Sequence, residues 1–241
     1  MAARLSCIVP VFNGAAFIAE ALDSIAAQTR PPDEVVVVDD GSIDGSAAVA
    51  AAHPVGCRVL PTTHRGAAHA RNLGVAASSG DLLSFLDADD LWSPAKCSVE
   101  TAVLADRDDV DLVVSRAENF IDPAVPLTGD DDWRRPLLGP EPALLLQCTT
   151  VRRALFDRIG GFDETIVAFG EDTDWFMRAI AAGAGMERLS AFHVRRRLHR
   201  SNLVRTLDNA ARLDAAFLMI SRHLQRKRET GSQQTCHRGA L

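Results

Sequence analysis

Acidic residues directly follow one apolar run of this sequence. Residues 82–86 are mostly apolar, and Asp87, Asp89 and Asp90 come immediately after them. Carboxylates this close together repel one another unless a cation or a ligand lies between them. Oxygen ligands of this kind suit Mg²⁺ or Mn²⁺, which can also bridge to phosphate oxygens. The pattern therefore indicates a divalent cation site beside a phosphorylated ligand.

Two further polar segments end predicted strands. Residues 10–14 read Pro-Val-Phe-Asn-Gly, and residues 39–45 read Asp-Asp-Gly-Ser-Ile-Asp-Gly. In open parallel sheets, ligands bind beyond the carboxyl ends of the strands, so the three polar strand ends are expected to converge on one crevice. An Asp-Gly-Ser segment also forms ordinary turns and helix caps. Each segment alone is weak evidence, and the convergence of all three indicates a ligand site.

The elements that position these residues follow an alternating pattern. Short apolar runs predict strands, and residues at helical spacing predict helices between them. This pattern implies an α/β fold with a mostly parallel sheet covered by helices on both faces. The predicted strands are 5–11, 34–38, 58–60, 81–86, 110–115, 143–151 and 186–194, and the predicted helices are 17–25, 46–52, 66–77, 94–105, 152–159 and 171–182. The stretch 116–142 is predicted to be a long irregular loop.

Composition limits the classes of protein. The 241 residues are 47% hydrophobic, enough for one large domain with a sizeable core, and a formal net charge of −6 argues against nucleic acid as a partner. Five cysteines without a CxxC pair indicate neither a disulfide framework nor a zinc site. This cysteine usage fits a reducing, cytoplasmic location. No apolar stretch reaches membrane-spanning length.

Several motifs follow one another between residues 5 and 205. The first half carries Pro-Val-Phe-Asn at 10–13, Val-Asp-Asp-Gly-Ser-x-Asp at 38–44, Ala-Arg-Asn at 70–72 and Phe-Leu-Asp-Ala-Asp-Asp at 85–90. The second half carries Gly-Gly-Phe-Asp-Glu at 160–164, Gly-Glu-Asp-x-Asp-Trp-x-x-Arg at 170–178 and Arg-Leu-His-Arg-Ser-Asn at 197–202. This ordered set closely resembles the family 2 inverting glycosyltransferases of the GT-A fold. The resemblance implies transfer of a sugar from a nucleotide diphosphate donor, expected to be a UDP-sugar.

The resemblance also implies which residues bind the nucleotide. Phe12 is expected to lie against the uracil ring, beside Pro10 in the same motif. Asp40 is expected to accept a hydrogen bond from the base, and Arg71 to meet the base or the diphosphate. Asp87 is expected to hold the ribose side. Aromatic stacking and one directed hydrogen bond are sufficient to select a nucleotide.

A divalent cation, Mn²⁺ or Mg²⁺, is the cofactor that the resemblance implies. Asp89 is expected to ligate it, and His199 to complete the metal or diphosphate shell. Arg197 is expected to pair with diphosphate oxygens. The cation would offset the negative charge that builds on the departing diphosphate.

Asp172 is the predicted general base. An inverting single displacement needs one carboxylate that removes the acceptor proton, on a different wall from the metal site. Glu171 and Asp174 in the same turn are rivals. Acidic residues in a first helical turn also stabilise the helix dipole, which is the structural alternative for Asp172.

Two alternative functions remain at this stage. A nucleotidyltransferase would need a basic residue in a glycine-rich segment just after the first strand, and residues 12–15 contain none. A non-catalytic nucleotide-sugar-binding module would not need its acids, yet Asp40, Asp87, Asp89 and Asp172 are all present. The acceptor stays open among a glycan, a lipid-linked sugar, a metabolite and a peptide. Trp133, in the acidic loop, is expected to stack on a sugar or close as a lid.

The chain is expected to divide into three parts. Residues 1–115 form the nucleotide-sugar-binding half, 116–202 the acceptor-binding and catalytic half of the same domain, and 203–241 a C-terminal helix with a frayed tail. Apolar residues recur at helical spacing in 203–224, and Arg226, Lys227 and Arg228 follow. We expect this helix to pack on the domain or to form a homodimer contact. Its basic end could touch an anionic membrane surface peripherally, but three bases are too few for firm anchoring. Trp175 is either a core residue or an acceptor platform, and most of His53, His64, His69 and His193 are expected to be surface or packing residues.

Overall fold

The computed structural model describes residues 3–122, 139–141, 144–166 and 170–199. The strands are β1 (Leu5–Val11), β2 (Glu34–Asp39), β3 (Arg58–Pro61), β4 (Leu82–Phe85), β5 (Leu91–Trp92), β6 (Leu112–Ile121), β7 (Gly139–Glu141), β8 (Thr149–Arg152) and β9 (Met186–Leu198). The helices are α1 (Ile18–Ala26), α2 (Ser46–Ala51), α3 (Ala67–Ala77), α4 (Lys96–Asp106), α5 (Arg153–Ile159) and α6 (Glu171–Ala181). They flank one sheet of strand order β3-β2-β1-β4-β8-β6-β9-β5, with β7 paired to β6.

The first half of the chain forms the parallel part of the sheet. β1 pairs in parallel with β2 and β4, and β2 pairs in parallel with β3. The run Val35–Val38 is buried, as expected for a strand covered on both faces. α1 buries Ile18, Ala21, Leu22 and Ile25, one stripe at helical spacing, against this sheet. This half matches the sequence prediction.

The second half corrects the prediction of a mostly parallel sheet. β8 lies between β4 and β6 and is antiparallel to both, β5 is antiparallel to β9, and β9 is parallel to β6. The sheet is therefore mixed. Burial alternates along the end of β6, where exposed Arg116 and Glu118 alternate with buried Ala117 and Asn119. Such alternation is typical of a strand with one solvated face, not of a strand in a fully covered parallel sheet.

Element boundaries are also corrected. The predicted loop 116–142 is in part strand, because β6 continues to Ile121 and residues 139–141 pair with it. The strand predicted at 143–151 begins only at Thr149, after a 3₁₀ turn at Leu146–Cys148. β9 continues to Leu198, and β5 was not predicted. Trp133 and the predicted helix from residue 203 lie outside the described residues.

Aromatic side chains join the two halves in one core. Phe85 of β4 packs edge to face on Phe162, and Phe156 stacks on Trp175. Trp175 is fully buried, so of the two interpretations the core residue is correct. None of the helices in the described part of the chain has the length and apolar character needed to cross a bilayer.

Candidate active site

The polar strand ends meet at one edge of the sheet. Val11, at the end of β1, accepts a hydrogen bond from the backbone N–H of Asp40, 2.8 Å away. Ile8 of β1 accepts one from Leu86, which directly precedes Asp87. The acids that follow β2 and β4 are thereby placed on either side of the end of β1. The convergence expected from the sequence is present in the structure.

Hydrogen bonds fix the loop that carries Phe12. The backbone N–H of Asn13 donates to Ser42 Oγ at 2.9 Å, and the N–H of Ile43 donates back to Asn13 Oδ1 at 3.0 Å. Asn13 adopts a left-handed φ of 50°, which asparagine tolerates better than most residues. Pro10 lies in β1, half-buried, just before this loop. Phe12 is left 47% exposed at the end of β1.

Asp40 holds the segment that enters α3. Its carboxylate is buried and accepts hydrogen bonds from the backbone N–H groups of Arg65, at 2.9 Å, and Gly66, at 2.7 Å. His64 Nδ1 lies 3.3 Å from the same carboxylate. Asp40 therefore ties the segment before α3 to the end of β2 in addition to any contact with a base.

Arg71 connects the two walls of the site. This buried guanidinium donates to Asp87 Oδ1 at 2.7 Å and to Glu171 Oε1 at 2.5 Å. Burial alone would lower the pKa of Arg71, but the two carboxylates raise it above its ordinary value. Its Nε is buried and has no hydrogen-bond partner among the described residues. Arg71 thus links the end of β4 to the N-terminus of α6.

The three acids at the start of α6 have different environments. Asp174 is buried and accepts a hydrogen bond from Arg178 Nε at 2.9 Å. Arg178 also donates to backbone carbonyls of residues 159–161, so this pair holds the helix against the preceding loop. Glu171 is engaged by Arg71. Asp174 therefore stabilises the packing of α6 through Arg178, and Glu171 forms the ion pair with Arg71.

Asp172, the second residue of α6, is a carboxyl with a raised pKa. Its Oδ1 accepts a hydrogen bond from the backbone N–H of Thr173 at 2.6 Å. Burial, followed by the nearby charge of Glu171, raises the pKa of Asp172 to about 6, although Arg71 acts in the opposite direction. A carboxyl with such a pKa accepts protons near neutral pH better than an ordinary aspartate.

Asp89 and His199 meet although they are 110 residues apart. His199 Nε2 lies 2.8 Å from Asp89 Oδ2, and the His199 ring packs on Phe17 with 4.4 Å between ring centroids. The extension of β9 beyond the predicted boundary brings His199 to this position. The two residues predicted as metal ligands are therefore adjacent.

Arg197 is placed differently from a simple phosphate ligand. It is buried, and its guanidinium donates to Asp122 at 2.8 Å, to Glu20 at 2.6 Å and to the backbone carbonyl of Asp89 at 3.0 Å. Its backbone N–H donates to the buried Asp90. These contacts attach the end of β9 to the acidic turn after β4. The predicted role of Arg197 at the diphosphate stays a prediction.

Sequence reasoning missed several residues that build the site. Asp90 accepts hydrogen bonds from Arg197 N–H and Gln147 Nε2, and burial raises its pKa well above the usual range. Glu164 is engaged by Arg65, His69 and Asn72. The motifs at 85–90 and 160–164 contained both acids, so position in a motif was the available signal. Their partners could not be identified from the sequence.

Gly161 allows the segment before α6 to lie close to Asn72 of α3. A Cβ on Gly161 would lie 2.5 Å from Asn72 Oδ1. Asn72 accepts a hydrogen bond from the N–H of Phe162 and donates one to its carbonyl. A larger residue at 161 would displace the Asn72 side chain and disrupt its hydrogen bonds to Phe162.

Comparison with known proteins identifies the family. Residues 6–158 match the model of glycosyl transferase family 2. An uncharacterized glycosyltransferase of Rickettsia typhi is 32% identical over 186 residues, which cover 71% of this chain and 57% of the relative. The succinoglycan biosynthesis protein ExoU of Rhizobium meliloti is 33% identical over 203 residues, which cover 73% of this chain and 57% of that protein. The chain thus spans little more than half the length of these relatives.

Solved structures share the fold. S. aureus TarS 1-349 in complex with UDP-GlcNAc superposes with a TM-score of 0.66 at 23% identity, covering 85% of this chain and 61% of that one. Mannosyltransferase PcManGT from Pyrobaculum calidifontis, in complex with GDP-Man and Mn²⁺, gives a TM-score of 0.62 at 24% identity, covering 84% and 59%. The predicted α/β class and GT-A fold are confirmed. From the family match and the identity to its curated relatives, the chain belongs to glycosyl transferase family 2.

Proposed function

We propose that this chain transfers a sugar from a nucleotide diphosphate sugar, a UDP-sugar in our proposal, to a hydroxyl or other nucleophilic acceptor by an inverting single displacement. The Arg71 bridge is the observation that carries this proposal. The Arg71 guanidinium lies 2.5 Å from Glu171, the first residue of the helix that carries the candidate base Asp172, and 2.7 Å from Asp87. A donor site and a proton acceptor are thereby kept in one fixed arrangement.

The donor half provides recognition of the nucleotide. Phe12, which is 47% exposed, offers an aromatic ring for stacking, and Pro10 precedes its loop in β1. Asp40 offers acceptor oxygens at the end of β2, and Asp87 offers them to the ribose. Arg71 lies beside Asp87 with a guanidinium that can contact the base or the diphosphate. One aromatic face with a few directed polar groups is a common arrangement for a nucleotide site.

The residues present fit a divalent cation. Asp89 and His199 offer a carboxylate oxygen and an imidazole nitrogen 2.8 Å apart. Among the described residues no group of three or more His, Cys, Asp or Glu surrounds a common point. Mg²⁺ or Mn²⁺ needs only one or two protein ligands when substrate phosphates complete its coordination shell. When bound, the cation would supply charge that stabilises the departing diphosphate.

Asp172 is our proposed general base. Its carboxylate, with a pKa of about 6, is deprotonated near neutral pH yet basic enough to take the proton of an acceptor hydroxyl. The C–O bond from the acceptor forms on the face of the anomeric carbon opposite the breaking bond to the diphosphate. The proton moves to an Asp172 oxygen as the acceptor oxygen attacks.

The test is a panel of nucleotide sugars assayed with the purified chain. UDP-sugars and GDP-mannose are incubated with Mn²⁺, with Mg²⁺ and with chelator, and release of the nucleoside diphosphate and thermal stabilisation are both recorded. We expect one donor class to stabilise the chain and to be turned over only with a cation. A chain that neither binds nor hydrolyses any nucleotide sugar would contradict the proposal. The acceptor class, whether glycan, lipid-linked sugar, metabolite or peptide, is then screened with that donor.

A further inference from the structure

The imidazole of His64 lies directly on the ring of Phe12. The ring centroids are 3.9 Å apart and the ring planes are inclined by 24°, which is a stacked arrangement. No binding role was predicted for His64. Two flat rings at this separation are in van der Waals contact, so no third ring fits between them.

The same imidazole also lies beside Asp40, the residue predicted to accept a hydrogen bond from the nucleobase. His64 Nδ1 lies 3.3 Å from Asp40 Oδ2, a distance at which a protonated imidazole forms an ion pair. His64 therefore combines a flat aromatic face on Phe12 with a ring nitrogen beside Asp40. A nucleobase held by Phe12 and Asp40 would make the same two contacts.

We propose that His64 occupies the nucleobase position when no nucleotide is bound, and that its ring leaves this position when the donor binds. This inference rests on the proposed function, because it takes Phe12 and Asp40 as the residues that hold the base. His64 is thus a determinant of nucleotide affinity. The donor must displace an intramolecular competitor before its base can stack.

The backbone around His64 explains why only the side chain needs to move. The next two N–H groups, of Arg65 and Gly66, both donate to Asp40. Gly41 has a φ of 81° and lies close to this backbone: a Cβ added to it would be 3.0 Å from the backbone nitrogen of His64. The His64 side chain, by contrast, is 62% exposed. A rotamer change of an exposed side chain is fast and needs no backbone rearrangement.

The test is the UDP affinity of His64 variants, measured calorimetrically in the presence of Mn²⁺. His64→Ala removes the competitor and is expected to bind UDP about 2- to 10-fold more tightly, the range that one aromatic pair accounts for. His64→Phe keeps a ring on Phe12 and is expected to bind no more tightly than the wild type. Inorganic pyrophosphate has no base, so its affinity is expected to be the same for wild type and His64→Ala.

Thr63→Ala is the matched control, an exposed residue next to His64 on the same segment. It is expected to leave UDP affinity unchanged. The proposal is overturned if His64→Ala binds UDP with unchanged or lower affinity, which would make His64 a platform for the base. It is equally overturned if His64→Phe or Thr63→Ala gains as much affinity as His64→Ala, or if pyrophosphate binding rises in the same proportion.

A spectroscopic measurement follows the ring itself. The His64 imidazole protons, assigned by their loss in His64→Ala, are expected to carry a ring-current shift from Phe12 in the free protein. Addition of UDP should move them toward the positions of an unstacked imidazole. Signals that keep their shift at saturating UDP would contradict displacement. If no nucleotide binds to wild type or to any variant, the proposed function itself fails and this inference fails with it.

Discussion

Arg71 and Glu171 are 100 residues apart in the chain and 2.5 Å apart in the structure. Because Arg71 also pairs with Asp87, this contact ties the start of α6 to the end of β4. The Arg71 guanidinium is thus a positive charge between Asp87 and Glu171. Arg71 lowers the pKa of the neighbouring Asp172, whereas Glu171 raises it.

Turnover is expected to fall as the pH drops through about 6. The folded pKa of Asp172 is raised to about 6 by burial and by Glu171, so the carboxylate is available as a base above that pH and is protonated below it. Glu171→Gln removes a like charge and should move this limb of the profile to lower pH. Arg71→Gln removes an opposite charge and should move it to higher pH.

The measurement is the pH dependence of kcat at saturating donor. Ile180→Ala, which changes an exposed residue of the same helix and leaves all three charges in place, is the control for local perturbation of the helix. Shifts of the acidic limb in the same direction for Glu171→Gln and Arg71→Gln would contradict the assignment of that limb to Asp172.

The contact between Asp89 and His199 leads to a prediction about metal dependence. Asp89→Ala and His199→Ala are each expected to weaken UDP binding in Mn²⁺ by about tenfold or more, the scale seen when groups of a metal site are removed. In chelator, wild type and variants should bind UDP with similarly low affinity. Asp23→Ala, which changes an exposed carboxylate, should behave like the wild type. Equal UDP affinity with and without Mn²⁺ in the wild type would rule out this metal site.

Arg197 is expected to contribute more to stability than to phosphate binding. Replacing it by Gln removes the guanidinium that pairs with the buried Asp122, which should lower the free energy of unfolding by about 3 to 5 kcal/mol. Arg195→Gln is the control, because its pair with Glu118 is exposed and worth about 1 kcal/mol at most. Urea denaturation gives both values. Wild-type stability for Arg197→Gln, combined with a large loss of UDP affinity, would restore the diphosphate role.

The sequence predicted the parallel half of the fold better than the second half. Apolar runs covered on both faces mark β1, β2 and β4 clearly, but the four residues of β8 are too short a pattern to indicate strand direction, so its antiparallel pairing was not predicted. Because Arg116 and Glu118 are charged, the strand was predicted to end at residue 115, although β6 continues to Ile121. At two residues, β5 is too short for any pattern to predict.

Site residues that belong to a sequence motif could be predicted. Contacts that depend on tertiary packing could not. The motif at 85–90 gave Asp89, and the late basic motif gave His199, which the fold places side by side. Arg197 meets Asp122 and Glu20, 75 and 177 residues away, and no spacing rule links such distant residues. The stack of His64 on Phe12 was likewise invisible, since it depends on how the segment before α3 folds back on the end of β1.

The most direct test of the proposed mechanism is the turnover and the UDP affinity of Asp172→Asn, compared with those of Asp174→Asn and the wild type. The amide keeps the shape of the carboxylate but cannot accept the acceptor proton, so turnover should fall by a factor of about 10² to 10⁴. UDP affinity should stay near that of the wild type, because Phe12, Asp40 and the metal site are unchanged. A variant that keeps more than about a tenth of wild-type turnover when chemistry limits the rate would contradict the account.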